Sequence, residues 1–318
     1  MDSSSGLVKA PIFLVGAERS GTTLTRLMLD HHPSIAFFFE FEYSILSMTD
    51  DGGWPDLDEY VAHLRDDRIF KHAELSIDES LDFPHLVDSF LVQKRDRDAK
   101  PIVGATVHSH FDRLPKIWPD ARFIHIVRDG RDVARSIIEM GWSGTMFKAV
   151  DQWIHAETLW AEMCKTLPES RRIEVQYETL VREPEATLAG VCDWIGVPYH
   201  PAMLSYPEDS TYGSPSPKMI GQWRRKLEPS QVALAESRIS DMLQERGYEL
   251  SGFPQPEITP VRRRLLEIQD RINKARFRRN RYGALLQAAH FASRVGRVRP
   301  LLEWTNQRIE DIDVKYIK

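Results

Sequence analysis

The stretch from Pro11 to Pro33, PIFLVGAERSGTTLTRLMLDHHP, restricts the fold of this chain more than any other part of its sequence. A short apolar run ends at Gly16, a polar loop with a second glycine follows, and a segment with helical spacing of apolar residues continues until proline stops it. The predicted order is strand, loop, helix. Loops of this kind hold an anion against a helix N-terminus, with the backbone N–H groups of residues 19–23 pointing at it.

The loop GAERSGTT matches the phosphate-loop pattern G-x-x-x-x-G-K-[ST] at all fixed places except one. Gly16 and Gly21 take the glycine positions and Thr23 takes the last, but Thr22 stands where the pattern has lysine. Lysine and Mg²⁺ neutralise the triphosphate in nucleotide hydrolases, so the absence of lysine favours a less highly charged ligand. Arg19 can supply one fixed positive charge. We therefore expect a single phosphate that bears a transferable group.

A second junction between a strand and a helix lies in RFIHIVRDGRDVARSIIEM. Residues 123–127 predict a buried strand, and Asp129 or Gly130 begins the next helix. Arg128 ends the strand and Ser136 follows eight residues later, about two helical turns, so a guanidinium and a hydroxyl could converge on another anion. A charged helix entry is the alternative. Together with the first loop, the pair predicts a nucleotide with two separate phosphate sites.

The rest of the chain repeats the alternation of strands and helices. Further strands are predicted in KPIVGATV and RRIEVQYETL, and a late helix in PSQVALAESRISDMLQERGY is closed by Gly247. Repeated strand and helix units form parallel sheets that helices cover on both faces. The sequence thus predicts an α/β fold of the three-layer P-loop type, with the ligand at the carboxyl ends of the strands.

The last part of the chain differs from the rest in charge. Residues 255–318 contain 15 Lys and Arg against 7 Asp and Glu, whereas the whole chain has a formal net charge of -5. The segment begins within the proline-rich PQPEITP, residues 254–260, and continues with arginines between helically spaced apolar residues. We predict a main domain over residues 1–254 and a basic helical extension over residues 255–318, packed on or beside it. Binding of an acidic partner, an anionic substrate or a membrane surface is the alternative role.

Targeting signals and cysteine usage point to one cellular setting. The first ten residues lack a basic start followed by an apolar run, and no apolar stretch is long enough to cross a bilayer, so we expect a cytoplasmic protein without a transmembrane segment. Cys164 and Cys192 lie in segments that read as helices, which favours buried free thiols. No zinc-like spacing of Cys and His occurs, so no metal is expected.

Three segments, in order, resemble the sulfotransferases that use 3′-phosphoadenosine-5′-phosphosulfate (PAPS). They are FLVGAERSGTTLTRLMLDHHP, DARFIHIVRDGRDVARSI and VQYETLVREPEATL, and the similarity is greatest to the tyrosylprotein and bacterial branch. The resemblance implies in-line transfer of a sulfuryl group from PAPS, without a metal, to a hydroxyl of a small molecule, carbohydrate or peptide. It implies no nucleic-acid partner, and it leaves a homodimer open.

The same resemblance assigns the nucleotide contacts. The 5′-phosphosulfate would be held by Arg19, Ser20, Gly21, Thr22 and Thr23, the 3′-phosphate by Arg128 and Ser136, and the adenine would lie beside Tyr177. The segment SPKMIGQWRRKL resembles a late loop that closes over the nucleotide, with a basic surface loop as the alternative. Its candidate contacts are Lys218, Trp223, Arg224 and Arg225.

Sulfuryl transfer needs a base for the acceptor's proton, and two residues compete for that role. Counting without a gap from the glycine loop places Glu40, in AFFFEFEYSIL, on the glutamate base of the tyrosylprotein branch. Burial among phenylalanines would favour proton uptake there. His108, in GATVHSHFDRLP, resembles the catalytic histidine segment of the cytosolic sulfotransferases and is the alternative. Arg19 would stabilise charge on the leaving phosphate, and Glu42 could bind substrate.

One position departs from the family pattern. Thr106 and Val107 stand where a lysine commonly precedes the catalytic segment, so the second positive charge would come from Arg19 alone or from another loop.

Two other classes of function stay open. A P-loop kinase would require Mg²⁺ and the missing lysine. A catalytically inactive nucleotide-binding protein would keep the loop and lack the base.

Overall fold

A five-stranded parallel sheet forms the centre of the part of the chain that this computed structural model describes, residues 6–49, 51–296 and 298–313. The strands are β1 (Ile12–Val15), β2 (Ile35–Glu40), β3 (Ile102–Val107), β4 (Arg122–Val127) and β5 (Arg172–Gln176). Their order in the sheet is β2-β3-β1-β4-β5, so β1 lies in the middle. Because every neighbouring pair is parallel, the loops that follow β1, β3 and β4 leave the same edge.

Fourteen α-helices lie within the described residues. They are α1 (Thr22–Asp30), α2 (Leu57–Asp66), α3 (Arg68–Ala73), α4 (Phe83–Asp98), α5 (Leu114–Ile117), α6 (Gly130–Met140), α7 (Met146–Met163), α8 (Tyr177–Arg182), α9 (Pro184–Ile195), α10 (Trp223–Lys226), α11 (Pro229–Glu245), α12 (Pro260–Tyr282), α13 (Ala284–Val295) and α14 (Arg299–Asp313). Short 3-10 turns occur at Glu42–Ser44, Phe111–Arg113, Glu169–Arg171, Pro201–Leu204, Tyr206–Glu208 and Pro217–Met219. None of the described helices is both long and apolar enough to cross a membrane.

Successive residues of each strand point to opposite faces of the sheet, and both faces are buried. On β1, Phe13 and Val15 belong to a core shared with α2, α3, α4 and α5. Ile12 and Leu14 belong to a second core shared with α1, α8 and α9. Because both faces must be apolar, strands β1–β4 read as largely apolar runs, whereas the outer strand β5, RIEVQ, is mixed. This confirms the predicted three-layer fold with a central parallel sheet.

The local signals in the sequence mark the element boundaries. Helix α6 begins at Gly130 as predicted, and the Oδ1 atom of its N-cap Asp129 accepts from the N–H of Arg131 at 2.9 Å.

Both cysteines are free, which confirms the predicted thiols. Cys192 is buried in α9, but Cys164 is half-buried in the turn after α7 rather than inside a helix.

The described residues form two compact units. The first contains the residues up to 128 together with 152–220, and the second contains 129–151 and the residues from 221 onward. The sheet, both cores and helices α1–α5, α8 and α9 belong to the first unit, whereas α6 and α10–α14 belong to the second. The predicted division between residues 254 and 255 stays a prediction, and residues 297 and 314–318 of that extension lie outside the described residues.

One ion pair is buried inside the first unit. His125, on β4, is fully buried and stacks on Trp160 with ring centroids 4.5 Å apart. Its Nε2 atom lies 3.3 Å from Oε1 of buried Glu157, and its Nδ1 atom lies 3.1 Å from Oε2 of Glu174, its partner across the β4–β5 pair. Burial acts to lower the pKa of His125, but the two carboxylates outweigh burial and raise the pKa above its usual value.

Candidate active site

The loop between β1 and α1 requires glycine at both of its ends. Gly16 has φ of 145°, and a Cβ atom there would lie 2.4 Å from the carbonyl oxygen of Ile126 on β4. Gly21 has φ of 96°, and a Cβ atom there would lie 2.3 Å from Cδ2 of Tyr177. At both positions the backbone adopts a positive φ and a neighbouring residue leaves no room for a Cβ atom, so only glycine fits. The glycines of the sequence pattern fix the path of the loop.

The N-terminus of α1 has the features of an anion site. Its N-cap is Gly21, and no side chain among the described residues caps the helix. Ser20 is fully buried, and its Oγ atom has no hydrogen-bond partner among the described residues. A phosphate oxygen would satisfy such a hydroxyl. One expectation needs correction: the N–H of Ser20 does not point into the loop but donates to Ala17 O at 3.2 Å.

Arg128 joins the glycine loop to a later loop of the same unit. Its Nη1 atom donates to Arg19 O at 3.0 Å, and its Nη2 atom donates to Met219 O at 2.9 Å. Its guanidinium carbon lies 4.3 Å from the centre of the Tyr177 ring, a cation–π arrangement. The structure thus brings together Arg19, Gly21, Arg128 and Tyr177, four of the residues that the sequence assigns to the nucleotide.

Tyr177 is a packed residue as well as a candidate ligand contact. It is the first residue of α8, it is buried, and its ring is close to both Gly21 and the Arg128 guanidinium. These contacts couple the loop after β1 to the turn after β5. Its predicted place beside adenine stays a prediction.

A cavity of about 370 Å³ opens next to the glycine loop. Its polar lining residues are Glu18, Glu40, Glu42, His108, Ser109, Gln152 and His155, and its apolar lining residues are Ala17, Leu46 and Ile69. The two competing base candidates therefore line the same cavity. Neither lysine nor arginine occurs among the described residues that line it.

The carboxylates of the cavity differ in their surroundings. Burial raises the pKa of Glu18, and the nearby Glu40 adds to this effect, while His108 and Arg19 oppose it. Burial likewise raises the pKa of Glu42, with Glu40 again adding to it and His108 opposing it. The Oε1 atom of Glu42 accepts from the N–H of His108 at 2.6 Å, and its Oε2 atom is buried without a hydrogen-bond partner in the described part of the chain.

Glu40 does not have the buried setting that the sequence suggested. Phe38 pairs with Ala105 and Glu40 pairs with Thr106, so Phe39 is an extra residue and forms a bulge in β2. The bulge breaks the alternation of faces, and Glu40 is exposed although Phe38 and the residue after Glu40 are buried. The expected phenylalanine enclosure of Glu40 is therefore wrong, whereas its place in the cavity is consistent with contact to an acceptor.

His108 has a defined tautomer if it is neutral. Its Nδ1 atom lies 3.1 Å from Gly16 O, and a carbonyl oxygen can only accept a hydrogen bond. The ring proton must then sit on Nδ1, which leaves Nε2 as the atom that could take a proton. His110, two residues after His108, is the N-cap of the 3-10 turn at Phe111–Arg113 and has φ of 52°.

Four further candidates lie in the second compact unit: Ser136, Trp223, Arg224 and Arg225. Trp223 is buried, its Nε1–H donates to Asp129 Oδ2 at 2.9 Å, and its ring lies 3.8 Å from the guanidinium carbon of Arg131. Arg131 also pairs with Glu236, at 2.6 Å. Trp223 is thus tied into the start of α6, and its predicted contact with the nucleotide stays a prediction.

Ser136 and Arg224 belong to the same unit as Trp223. Ser136 is buried on α6, and exposed Arg224 stacks on Trp223 with its guanidinium carbon 4.3 Å from the ring centre. The predicted convergence of Arg128 with Ser136 stays a prediction. Arg225 is exposed in this unit, and Lys218 is exposed in the first unit.

Four polar residues of the cavity were not predicted from the sequence: Glu18, Ser109, Gln152 and His155. Glu18 stands inside the quoted glycine loop, so its position next to the anion-binding backbone was a usable signal. Ser109 is adjacent to His108. Gln152 and His155 come from α7, and only the tertiary fold places them at the cavity. Within the described ranges, no group of three or more His, Cys, Asp or Glu is arranged to hold a metal ion.

The sequence model of the Sulfotransferase family matches residues 11–201 of this chain. The protein-tyrosine sulfotransferase of Drosophila melanogaster is 27% identical over 269 residues, which cover 76% of this chain and 52% of the fly protein. Protein-tyrosine sulfotransferase 1 of Danio rerio is 25% identical over 309 residues, covering 82% and 80% of the two chains. The chain therefore spans about half the length of the fly relative.

A solved structure shares the fold. The sulfotransferase domain from the curacin biosynthetic pathway superimposes with a TM-score of 0.52 and 17% sequence identity, covering 77% of this chain and 99% of that domain. At this identity, the likeness concerns the fold alone.

The contact between Gly21 and Tyr177 generates a test. We expect Gly21→Ala to lower the free energy of unfolding by about 2 kcal/mol or more, because alanine would adopt a positive φ and press on a buried ring. The matched control is Gly190→Ala in α9, where an added Cβ meets nothing within 4 Å and helix propensity should stabilise by roughly 0.5–1 kcal/mol. Urea denaturation measures both; equal stability of the two variants would contradict the packing argument.

Proposed function

We propose that this chain, which belongs to the sulfotransferase family, transfers a sulfuryl group from PAPS to a hydroxyl acceptor. The main support is the N-terminus of α1: among the described residues, no side chain caps it and the buried Ser20 hydroxyl has no hydrogen-bond partner. A cavity lined by both candidate bases lies next to it. The first feature fits an anion and the second fits the proton transfer that hydroxyl acceptors require.

The residues of the glycine loop fit the 5′-phosphosulfate. PAPS would supply an activated sulfuryl group on a phosphate oxygen. The Ser20 hydroxyl and the first-turn N–H groups of α1 would donate to that phosphate. Arg19, whose backbone has φ of 69° and so adopts the left-handed region, would stabilise the charge that develops on the leaving oxygen. These roles require neither lysine nor Mg²⁺, which agrees with Thr22 in the lysine position.

The 3′-phosphate is assigned to Arg128. In the present structure the two terminal nitrogens of Arg128 donate to carbonyl oxygens of the glycine loop and of the Pro217–Met219 turn. A bound phosphate would compete for these donors and would offer a stronger, charge-assisted partner. Ser136 is proposed as the second contact, as the family resemblance implies.

The acceptor would occupy the cavity next to the loop. Its hydroxyl oxygen would attack the sulfur, the bond from sulfur to the phosphate oxygen would break, and the hydroxyl proton would pass to Glu40 or to Nε2 of His108. We keep Glu40 as the preferred base, because exposure to the cavity gives its carboxylate access to the acceptor. Glu42 would position His108 through the hydrogen bond to its N–H.

The charge of the cavity indicates the kind of acceptor. Three carboxylates line it, and no lysine or arginine occurs among its described lining residues. Burial raises the pKa of both Glu18 and Glu42, and the like charge of nearby Glu40 adds to each shift. An amine-bearing acceptor would offset the negative charge of the cavity, a neutral acceptor would leave it unchanged, and an acidic peptide would add to it. The names of the relatives support a tyrosine acceptor, and the cavity favours one in neutral or basic surroundings.

We further propose a cytoplasmic location, as predicted.

Nucleotide binding tests the donor side. Wild type should bind 3′,5′-adenosine bisphosphate in EDTA, measured by calorimetry, because the proposed site uses no metal. Arg128→Ala should weaken that binding by about 1.5–3 kcal/mol and change the affinity for AMP much less, since AMP lacks the 3′-phosphate. Equal losses for both ligands would mean that Arg128 acts by holding the two loops together. A requirement for Mg²⁺ with a preference for ATP would favour a kinase.

Transfer of label tests the reaction itself. Wild type incubated with PAPS carrying radiolabelled sulfate should label neutral or amine-bearing alcohols and phenols, including a tyrosine peptide with lysine neighbours. A matched tyrosine peptide with aspartate neighbours should be labelled roughly tenfold less, the ratio that about 1.4 kcal/mol of repulsion produces. The reverse order would contradict the acceptor assignment. No labelled product from any acceptor, together with intact nucleotide binding, would favour an inactive nucleotide-binding protein.

Two substitutions decide which residue is the base. Glu40→Gln keeps the size of the side chain but cannot take a proton, so kcat should fall about 10²–10⁴-fold while nucleotide affinity persists. His108→Ala should then lower kcat much less than Glu40→Gln does. Glu59→Gln and His63→Ala, on the exposed side of α2, are the matched controls. Near-normal turnover of Glu40→Gln, with an inactive His108→Ala that still binds nucleotide, would assign the base to His108.

A further inference from the structure

Helix α12 carries a row of exposed apolar side chains. Val261, Leu265, Ile268 and Ile272 are 71%, 60%, 45% and 46% exposed. Their spacing of four, three and four residues places them on one face of the helix. We call these four residues the α12 stripe. Large aliphatic side chains in a continuous row on a surface indicate a binding face rather than scattered surface residues.

The opposite side of α12 is fixed to its own unit, so the direction of the stripe is set. Asp270 is buried, and its Oδ1 atom accepts from Ser143 Oγ at 2.7 Å and from the N–H groups of Gly144 at 2.7 Å and Thr145 at 3.2 Å. Asn273 Nδ2 donates to Gly144 O at 2.8 Å. The helix therefore cannot turn its apolar row inward without breaking these contacts.

Arginines border the α12 stripe on both sides. The exposed bordering residues are Arg262, Arg264, Arg271, Arg276 and Arg278. Residues 260–296 contain ten Lys and Arg against two Asp and Glu, and one of those two is the buried Asp270. A second copy of the chain would bring like charges together along both borders, in either orientation, which disfavours self-association through this face. The occupant must be apolar at its centre and anionic at its edge.

We propose that the α12 stripe binds the surface of an anionic lipid membrane. Helices with an apolar row and arginines at its borders lie in the membrane interface, where the apolar side chains enter the acyl region and the guanidinium groups contact the lipid phosphates. The aliphatic stems of the arginines can lie along the apolar boundary while their charges stay at the headgroups.

Exposed apolar side chains on two neighbouring helices favour lipid over a protein groove. Leu285, Phe291 and Val295 on α13 and Trp304 on α14 are exposed as well. Helix α13 contacts both α12 and α14 within the same unit. A partner helix covers one stripe, whereas a fluid lipid surface can cover several separate apolar groups, and a tryptophan is suited to its headgroup level. This inference does not depend on the proposed sulfuryl transfer.

Vesicle co-sedimentation of the full chain tests the proposal. Wild type should sediment with vesicles of equimolar phosphatidylcholine and phosphatidylserine and stay in solution with phosphatidylcholine alone. The double variant L265S/I268S should bind the anionic vesicles about tenfold less, because it loses apolar contact without changing charge. The double variant R264E/R271E should lose binding to a similar extent and respond less to added salt.

A matched control separates the site from overall charge. Lys165→Glu with Arg182→Glu makes the same change in net charge on exposed residues of the first unit, and it should leave vesicle binding within about twofold of wild type. All variants should keep the thermal midpoint and the affinity for 3′,5′-adenosine bisphosphate. Absence of wild-type binding to anionic vesicles would overturn the proposal. So would a control variant that loses as much vesicle binding as R264E/R271E. A wild-type dimer that L265S/I268S converts to monomer would assign the stripe to a second copy instead.

Discussion

The central position of β1 is the constraint on which the candidate site depends. Parallel pairing with β3 on one side and β4 on the other brings the loops that follow these three strands to one edge of the sheet. Gly16, His108 and Arg128 each come directly after one of these strands. An open parallel sheet leaves a crevice at such an edge, where the strand order diverges. The loop, the base candidate and the arginine are therefore neighbours by topology, before any side-chain contact is considered.

Much of the fold could be predicted because its signals are local. The apolar run before Arg128 and the Asp-Gly pair after it specify the end of β4 and the start of α6, and the glycines at 16 and 21 specify a loop that turns sharply. Each of these signals acts through the backbone of a few neighbouring residues. The order of the strands follows from how the two cores pack, and no local pattern encodes it.

The details of the site depended on contacts between distant parts of the chain. The sequence could not show that Tyr177 packs on Gly21, that Glu42 accepts from the N–H of His108, or that His155 reaches the cavity from α7. The exposure of Glu40 follows from a single extra residue in β2, and the uniform row of phenylalanines gave no sign of the bulge. A bulge is determined by the pairing of two strands, so it is a property of the sheet rather than of either segment.

The buried pair of His125 and Glu157 ties the formation of the sheet to the proton concentration. The raised pKa means that His125 holds a proton in the folded chain at pH values where it would release the proton in the unfolded chain. Folding therefore takes up a proton from the solvent in the interval above the unfolded pKa of about 6.5. The stability that the pair contributes is complete below this value and declines as the pH rises through the higher pKa of the folded state. Between the unfolded and the folded pKa of His125, the first unit therefore acquires its internal cation from the medium when it folds.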